Sequence, residues 1–361
     1  MNKEVISDKQ GVSLVTLFII GESSILVSGI TAKKELWLAI IFAIFMVLPF
    51  IFLYSKLFNV STDKNLFEII EITFGKFIGK GIILIYTWYT FDLASLVLID
   101  LGQFINIVNL DSTPIIVIII CIMILCAWIV KEGILVMGKF GELFLNVLVI
   151  LSIFGILLLV PKMNINNLRP ILYNGIKPVI KGAYEVFIYP FGETVVFTIA
   201  FSTLKSKKSI YKIYNQGLLV GGIFLLMTSL TIGLVIGIEH ASILYYPAYE
   251  AIERIDVGNV LQRIEVISGV IFVVGCFIKI SIYLLATCKG VAKIFECNNY
   301  RFIVMPISLL IVNLTYFEFD SIMSFNEWIF EVWIYYAFLF IVILPIIIWF
   351  ACEIKKKQLS K

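Results

Sequence analysis

Two short polar motifs interrupt apolar segments that are otherwise long enough to form helices. Gly21–Ser24 reads Gly-Glu-Ser-Ser, and Tyr189–Thr194 reads Tyr-Pro-Phe-Gly-Glu-Thr. Proline removes a backbone N–H and glycine relaxes the backbone, so the motifs predict helix breaks with unpaired amides and carbonyls. Such groups cannot face lipid. We therefore expect the two breaks to line one cavity inside the protein.

The chemistry available at such breaks suits a zwitterion. The free N-terminus of a half-helix can hold a carboxylate, and a side-chain acid nearby can hold an ammonium group or a proton. An amino acid carries both groups and is the ligand that we expect. The candidate ligand-binding residues are Gly21, Glu22, Ser23, Ser24, Tyr89, Tyr189, Pro190, Phe191, Gly192, Glu193 and Thr194.

A purely structural role for the two glutamates is the alternative. Glu22 and Glu193 would then cap the broken helices from inside, bind the freed N–H groups and never touch a ligand. The residue types alone leave both interpretations open.

A single lysine lies deep in another apolar segment. Lys279 is thirteen residues past the start of the segment 266–288, which is about 20 Å along a helix that rises about 1.5 Å per residue. Its ammonium group cannot easily reach water from that depth, so we expect an internal carboxylate or carbonyl partner. The available acids are Asp92, Asp100, Glu22 and Glu193. The candidate coupling or gating residues are Asp92, Asp100, Lys279 and Ser281, and a purely structural ion pair is the alternative.

The composition places these motifs in a membrane. Of the 361 residues, 61% are hydrophobic and 15% are charged, and the mean hydropathy is +1.03. A soluble domain is usually about a quarter charged, so a water-soluble fold is excluded. A helix needs about 20 apolar residues to cross the bilayer. Ten apolar runs of about that length, spans 1 to 10, fall near residues 12–32, 36–55, 82–105, 114–130, 141–160, 183–204, 213–238, 266–288, 302–317 and 330–351.

Spans 1 and 6 contain the two polar motifs, and each opens a set of five spans. Aligned at a constant offset, these spans place Gly-Glu-Ser over Gly-Glu-Thr. Because five is an odd number, the second set enters the membrane in the opposite direction from the first. We therefore predict one membrane domain, residues 1–361, built as a five-plus-five inverted repeat whose halves are residues 1–160 and 183–351.

Basic residues in the loops predict the orientation. If the N-terminus is cytoplasmic, the inside loops hold more lysine and arginine than the outside loops, as the positive-inside rule requires. Both termini are therefore expected in the cytoplasm. The balance of 28 Lys and Arg against 25 Asp and Glu gives no reason to expect a nucleic-acid partner, and the expected surroundings are the lipid bilayer.

Several kinds of site lack the residues that would form them. His240 is the only histidine and the six cysteines form no C-x-x-C pair, so neither a metal site nor a disulfide framework is expected. Gly75–Gly81 has the wrong glycine spacing for a phosphate-binding loop, and we expect a basic cytoplasmic loop there. No cofactor is expected. Because no nucleophile and base pair occurs at a plausible depth, we do not expect an enzyme.

The segment between spans 7 and 8 alternates apolar and charged residues at helical spacing. Tyr245–Glu265 therefore predicts an amphipathic helix that lies on the membrane or over the mouth of the site. A packed connecting helix without a gating role is the alternative.

Five segments of the chain resemble one known family. They are Ile6–Gln10, Tyr189–Glu193, Tyr246–Gly258, Leu261–Glu265 and Phe277–Ser281. With these motifs the chain resembles the B subunits of bacterial spore germinant receptors, the endospore germination permeases of the amino acid/polyamine/organocation superfamily. The resemblance extends over essentially the whole chain, and the connector between spans 7 and 8 is its most specific part.

The resemblance implies a LeuT-like, all-helical fold with broken spans 1 and 6. It also implies that a germinant such as an amino acid binds between spans 1, 3, 6 and 8, and that the chain assembles with A and C subunits in the spore inner membrane. We therefore expect a germinant-sensing subunit in which a bound nutrient shifts a conformational equilibrium. The alternatives are a proton- or sodium-coupled amino acid transporter and a ligand-gated ion-channel subunit.

Overall fold

The computed structural model describes residues 5–60, 64–170, 172–173, 175–201, 207–255 and 264–359. The secondary-structure elements in this part of the chain are all helices. Lipid favours such an architecture, because a helix pairs its backbone N–H and C=O groups within one segment. The predicted all-α fold class is confirmed.

Seven helices in the described ranges are long and apolar enough to cross a membrane. They coincide with predicted spans 2, 3, 4, 5, 7, 8 and 10. Spans 2 to 5, 7 and 8 are the helices Leu36–Phe58, Leu66–Asn109, Ile115–Glu132, Ile134–Leu159, Lys207–Ile236 and Val266–Ile294. Span 10 consists of Ile322–Trp328, Ile334–Phe338 and Leu344–Leu359, with π-helical turns at Ile329–Trp333 and Leu339–Ile343.

The other three predicted spans are short or interrupted. Span 9 is the helix Val304–Phe317, which has 14 residues. Span 1 is the helix Asp8–Ile20, followed by 3₁₀ turns at Glu22–Ser24 and Ile30–Glu35. Span 6 consists of the helix Lys177–Val186, a π-helical turn Phe187–Phe191, a 3₁₀ turn Gly192–Val196 and the helix Phe197–Ala200. The breaks predicted in spans 1 and 6 are therefore present.

The connector between spans 7 and 8 is helical over Ile238–Ala241 and Pro247–Glu253. The backbone N–H of Ala248 donates to the carbonyl of Ile25 at 3.1 Å, so the connector packs on the broken part of span 1. Residues 256–263 complete the amphipathic helix predicted for this segment and carry part of the family-like motif, but they lie outside the described residues.

Span 3 is longer than the apolar run that predicted it. The helical segment Leu66–Asn109 has 44 residues, is kinked at Gly75 and includes Gly75–Gly81, where we expected a basic loop. Gly75, with φ of 79° and ψ of 176°, departs from helical angles, and the chain bends so sharply there that a Cβ on Gly79 would lie 3.0 Å from Glu71 Cα. The expectation of a loop was wrong for residues 76–81, which extend span 3 as helix beyond its apolar run, because helical backbone hydrogen bonds do not require apolar side chains.

Two lysines of this helical extension bind an acid that follows span 8. Lys76 Nζ and Lys80 Nζ lie 2.6 Å and 2.8 Å from Glu296 Oε1. The hydrogen bonds and positive charges of these lysines lower the pKa of Glu296 to about 2. The contact ties the beginning of span 3 to the end of span 8.

Spans 8 and 3 form the core of the bundle. In their most apolar stretches 78% and 72% of the residues are buried, whereas the value for span 5 is 22%. Span 8 packs along span 3 and also contacts spans 1 and 4 and the last part of span 6. The break in span 1 lies directly against span 8, because a Cβ on Gly275 would be 2.7 Å from Gly21 Cα. Glycine allows the two backbones to approach this closely.

Span 5 shows how the outer surface suits a bilayer. Leu143, Ile150 and Leu157 are spaced by seven residues, lie along one face of the helix and are 64%, 67% and 62% exposed. Another face of the same helix packs on span 1, where a Cβ on Gly141 would lie 3.2 Å from Leu14 Cδ2. A stripe of exposed aliphatic side chains is unfavourable in water and matches lipid tails. The chain is a multi-pass membrane protein.

Gly275→Ala is expected to destabilise the protein, because the new methyl group would lie 2.7 Å from Gly21 Cα and must separate two backbones. We expect the free energy of unfolding, measured in detergent, to fall by about 1–3 kcal/mol. Gly269→Ala is a matched control on the same helix, since its Cβ would meet the ring of Phe104 at an ordinary 3.5 Å. Equal stability of the two variants would contradict the close approach of spans 1 and 8.

Candidate functional site

The break in span 1 begins at Gly21, whose backbone angles are φ −3° and ψ −119°. Two serine hydroxyls then bind carbonyls around the break. Ser23 Oγ donates to the carbonyl of Ile19, and Ser24 Oγ donates to the carbonyl of Gly21 at 2.8 Å. Because local hydroxyls satisfy these backbone groups, the carboxylate of Glu22 is available for contacts with other spans.

The break in span 6 begins at Tyr189, which has extended backbone angles of φ −129° and ψ 120° inside the π-helical turn. Pro190 follows it and has no N–H to donate. Thr194 Oγ1 donates to the carbonyl of Phe191 at 2.6 Å, and Tyr214 OH of span 7 donates to the carbonyl of Thr194 at 3.1 Å. Hydroxyl groups therefore satisfy the freed carbonyls of this break as well.

The two breaks bring two glutamates to one ammonium group. Lys279 Nζ lies 2.6 Å from Glu22 Oε2 and 2.7 Å from Glu193 Oε2. The lysine side chain is 1% exposed, so both ion pairs are shielded from water. Lys279, Glu22 and Glu193 together form the charge cluster. It joins spans 1, 6 and 8, and it carries one net negative charge when all three groups are ionised.

Two tyrosines complete the surroundings of the charge cluster. Tyr189 OH donates to Glu22 Oε2 at 3.2 Å, and Tyr283 OH donates to Glu193 Oε2 at 2.8 Å. The ammonium group of Lys279 also lies 4.4 Å from the centroid of the Tyr189 ring, which is a favourable cation–π distance. Each charged group thus has at least two partners, as a stable buried charge requires.

The sequence left open which acid pairs with Lys279, and the structure selects the two glutamates. Asp92 and Asp100 form no ion pair with any residue that the structure describes. Asp92 is buried beside Glu318 and Tyr336. Asp100 lies close enough to the charge cluster to interact with the charges of Glu22 and Lys279.

A cavity of about 240 Å³ lies beside the charge cluster. Glu22, Tyr189 and Glu193 line it, so both helix breaks contribute to one cavity, as predicted. Spans 3 and 10 and the first part of the connector between spans 7 and 8 form much of the remaining wall. Side chains from these elements in the wall include Leu93, Val97, Asp100, Gln103, Tyr246, Phe325 and Trp333.

The other predicted site residues are not among those that line this cavity. They are Gly21, Ser23, Ser24, Tyr89, Asp92, Pro190, Phe191, Gly192, Thr194, Lys279 and Ser281. Tyr89 stacks on Phe340, with ring centroids 4.1 Å apart. Ser281 Oγ donates to the carbonyl of Phe277 at 2.7 Å. A role of any of these residues in ligand binding or coupling stays a prediction.

Three polar residues of the cavity wall were absent from the predicted site. In the described part of the chain, Gln103 Oε1, Tyr246 OH and Trp333 Nε1 are buried without a hydrogen-bond partner. The sequence could have indicated Gln103, because it lies three residues after Asp100 and therefore on the same side of span 3. Tyr246 belongs to the connector predicted over the mouth of the site. Nothing in the sequence indicated Trp333 as a site residue, since tryptophan is common near the ends of membrane spans.

Comparison with known proteins identifies close similarity to one family. A family model described as "Spore germination protein" matches residues 5–321. Spore germination protein KB of Bacillus subtilis (strain 168) is 27% identical over 366 aligned residues, which cover 100% of this chain and 98% of that protein. Spore germination protein A2 of the same organism is 24% identical, and the alignment covers 98% of this chain and 96% of that protein. Spore germination protein XB of Bacillus anthracis is 24% identical over 287 residues, which cover 77% of this chain and 78% of that protein.

A solved structure has a similar fold. Mhp1, a nucleobase-cation-symport-1 family transporter solved in a closed conformation with bromovinylhydantoin bound, superposes with a TM-score of 0.60. The match covers 88% of this chain and 74% of that one at 12% identity, so it establishes the fold alone. The predicted LeuT-like transporter fold is thereby confirmed.

Removing the positive charge of the cluster is expected to destabilise the protein strongly. Lys279→Met leaves two buried carboxylates without a counter-charge, and breaking a buried pair in this way typically costs about 3–5 kcal/mol. Adding Glu22→Gln and Glu193→Gln to Lys279→Met removes the unpaired charges, so the triple variant should recover part of the lost stability. Thermal and chemical unfolding of the purified proteins in one detergent measures both effects.

Lys76→Met is the control for this series. The side chain of Lys76 is 67% exposed, and solvent screens its ion pair with Glu296, so its loss should change the unfolding temperature little. A triple variant no more stable than Lys279→Met alone would show that unpaired carboxylates are not the cause of the instability.

Proposed function

Because this chain belongs to the family of spore germination proteins and is a germinant-sensing membrane subunit, we propose that a small nutrient molecule binds in the cavity beside the charge cluster. The observation that carries this proposal is the convergence of the two helix breaks, with Glu22 from span 1 and Glu193 from span 6, on one cavity. In transporters, interrupted helices at corresponding positions of two repeats form the substrate site. The chemistry of this site is binding, and we propose no catalytic step.

An amino acid is the nutrient that we propose. The cavity of about 240 Å³ has room for a small molecule, and its wall combines aliphatic and aromatic side chains with a few polar groups, as ligand sites usually do. The bromovinylhydantoin bound to Mhp1 supports the binding of a small molecule by a protein of this fold.

The charge cluster is the element on which a bound nutrient acts. A ligand shifts an equilibrium between two conformations only by the difference in its affinity for them, and each tenfold preference is worth about 1.4 kcal/mol. The cluster holds spans 1, 6 and 8 together, and two of its three residues line the cavity. A ligand bound beside it therefore changes the relative energy of arrangements in which these spans lie together or apart.

Assembly and location follow from the same proposal. The chain assembles with A and C subunits in the spore inner membrane, and both of its termini lie on the cytoplasmic side. The excess of basic residues in the loops on the N-terminal side supports this orientation. The partner subunits would convert the conformational change of this chain into the germination signal.

A secondary transporter is the second candidate, because Mhp1, a solved structure with a similar fold, is a nucleobase-cation-symport-1 family transporter. Counterflow of radiolabelled amino acids in proteoliposomes separates the candidates. Exchange of label across the membrane would support transport, whereas binding without exchange supports a sensor. A ligand-triggered conductance in the same liposomes would indicate an ion-channel subunit.

Two substitutions in span 6 are expected to weaken the response of spores to their nutrient. Gly192→Ala would place a methyl group 2.6 Å from Ile341 Cγ2 and so disturb the break, and Glu193→Gln would remove a charge from the cavity wall at nearly constant volume. Spores that depend on this protein should then need more germinant or fail to respond, while germination by non-nutrient triggers stays intact. Dose–response curves of the loss of optical density measure the effect.

Gly81→Ala is the control in the same spores, because its Cβ would have no atom within 4 Å. Levels of each variant are compared by immunoblotting of spore membranes. Unchanged dose–response curves for both span 6 variants at normal protein levels would argue that recognition lies elsewhere.

A further inference from the structure

Four carboxylates line the cavity, and three of them already have partners. Glu22 and Glu193 share the ammonium group of Lys279 and accept hydrogen bonds from tyrosines. Glu185 accepts a hydrogen bond from Thr31 Oγ1 at 2.5 Å. The fourth, Asp100, is 9% exposed and has neither a hydrogen bond nor an ion pair within the described ranges.

The two glutamates cannot easily serve a ligand as well. A ligand ammonium that displaced Lys279 from Glu22 or Glu193 would remove one of the two ion pairs that stabilise the buried lysine charge, which is unfavourable. Asp100 presents the opposite situation, because a buried carboxylate without a partner gains stability from any cation that reaches it. The cavity wall contains no Lys, Arg or His side chain among the residues that the structure describes.

Unpaired polar atoms in the same wall give a second, independent indication of a ligand. Gln103 follows Asp100 by one helical turn, and its Oε1 is buried with no donor among the described residues. Trp333 Nε1 and Tyr246 OH are likewise buried and unpartnered there. Buried polar groups in native proteins are normally satisfied, so these atoms are explained by a ligand that offers both donors and acceptors.

We infer that Asp100 binds a protonated amine of the ligand, and that Gln103 shares this role through its side-chain oxygen. An ammonium group supplies three donors and a positive charge, which match a carboxylate and a carbonyl on adjacent turns of span 3. The indole N–H of Trp333 and the hydroxyl of Tyr246 are suited to an acceptor elsewhere on the ligand. Leu93, Val97 and Phe325 surround an apolar body.

The inference rests on the proposed function and narrows its ligand class. The ligand is a small amine, either zwitterionic or cationic, with an apolar body. A carboxylic acid without an amine would meet four acidic side chains and no basic one in the described wall of the cavity, so it should be excluded.

Matched compounds test this assignment on the purified full-length protein in detergent. Leucine, isopentylamine and 4-methylpentanoate share one aliphatic body, and phenylalanine, phenethylamine and 3-phenylpropanoate share an aromatic one. Thermal unfolding is measured against the concentration of each compound. In at least one series the two amine-bearing compounds should raise the unfolding temperature, and the deaminated acid should not.

Two variants connect the effect to span 3. Asp100→Asn should raise the apparent Kd of the amines at least about tenfold, because it removes the charge that pairs with the ammonium group. Gln103→Leu should raise it by a smaller factor and provides a second test if Asp100→Asn does not fold. Glu68→Gln is the control on the same helix, because Glu68 lies outside the cavity wall and its hydrogen bond with the Asn65 N–H can also be made by glutamine, so the apparent Kd should change less than about twofold.

Each result bears on the assignment. Equal binding of amines by Asp100→Asn and the unmodified protein, or binding of the deaminated acids as tight as that of the amines, would overturn it while leaving the proposed site intact. If no compound of either series stabilises the unmodified protein, the cavity does not bind apolar amines and the inference fails. The spore dose–response curves of the span 6 variants judge the proposed function independently of this outcome.

Discussion

A buried ammonium group inside an apolar bundle is the constraint on which the rest of this structure depends. The Lys279 side chain is 1% exposed, and its charge is stable there only because two carboxylates lie within 2.7 Å of it. These carboxylates come from the breaks of two different spans. The charge cluster can therefore form only when both breaks lie against span 8, so the pairing of one charge fixes the relative positions of spans 1, 6 and 8.

The breaks are stable in lipid because other groups replace the lost helical hydrogen bonds. Serine and threonine hydroxyls bind freed carbonyls next to each break, and Tyr214 and Ala248 contribute bonds from span 7 and the connector. Gly21 and Gly275 permit the backbone contact that places the span 1 break beside Lys279. These local arrangements depend on tertiary neighbours, which is how a transporter fold can hold irregular backbone at the centre of a membrane.

The parts of this structure that follow from local physics could be predicted, and the parts that depend on helix rotation could not. Apolar length located the seven long helices of the described residues and the shorter or interrupted segments at predicted spans 1, 6 and 9, and glycine and proline located both breaks. The sequence could narrow the partner of Lys279 to four acids but could not choose among them. The direction in which Asp92 or Asp100 faces depends on how span 3 is rotated against span 8. The loop expected at Gly75–Gly81 was wrong because the chain turns at Gly75 alone, and residues 76–81 are helical although they precede the apolar run. The contribution of Trp333 to the cavity wall could not be predicted, because it depends on where span 10 packs.

In the arrangement that we infer, recognition and signalling use different acids, and their proximity couples them. The glutamates of the charge cluster are saturated, so they hold spans together and leave the ligand to Asp100. Asp100 nevertheless interacts with the charges of Glu22 and Lys279. A ligand ammonium that pairs with Asp100 brings one positive charge to the cavity wall that Asp100 shares with Glu22, which changes the energy of the ion pair between spans 1 and 8. Binding energy at span 3 is thereby converted into a preference between arrangements of the broken spans, which a sensor requires and which tight binding alone does not provide.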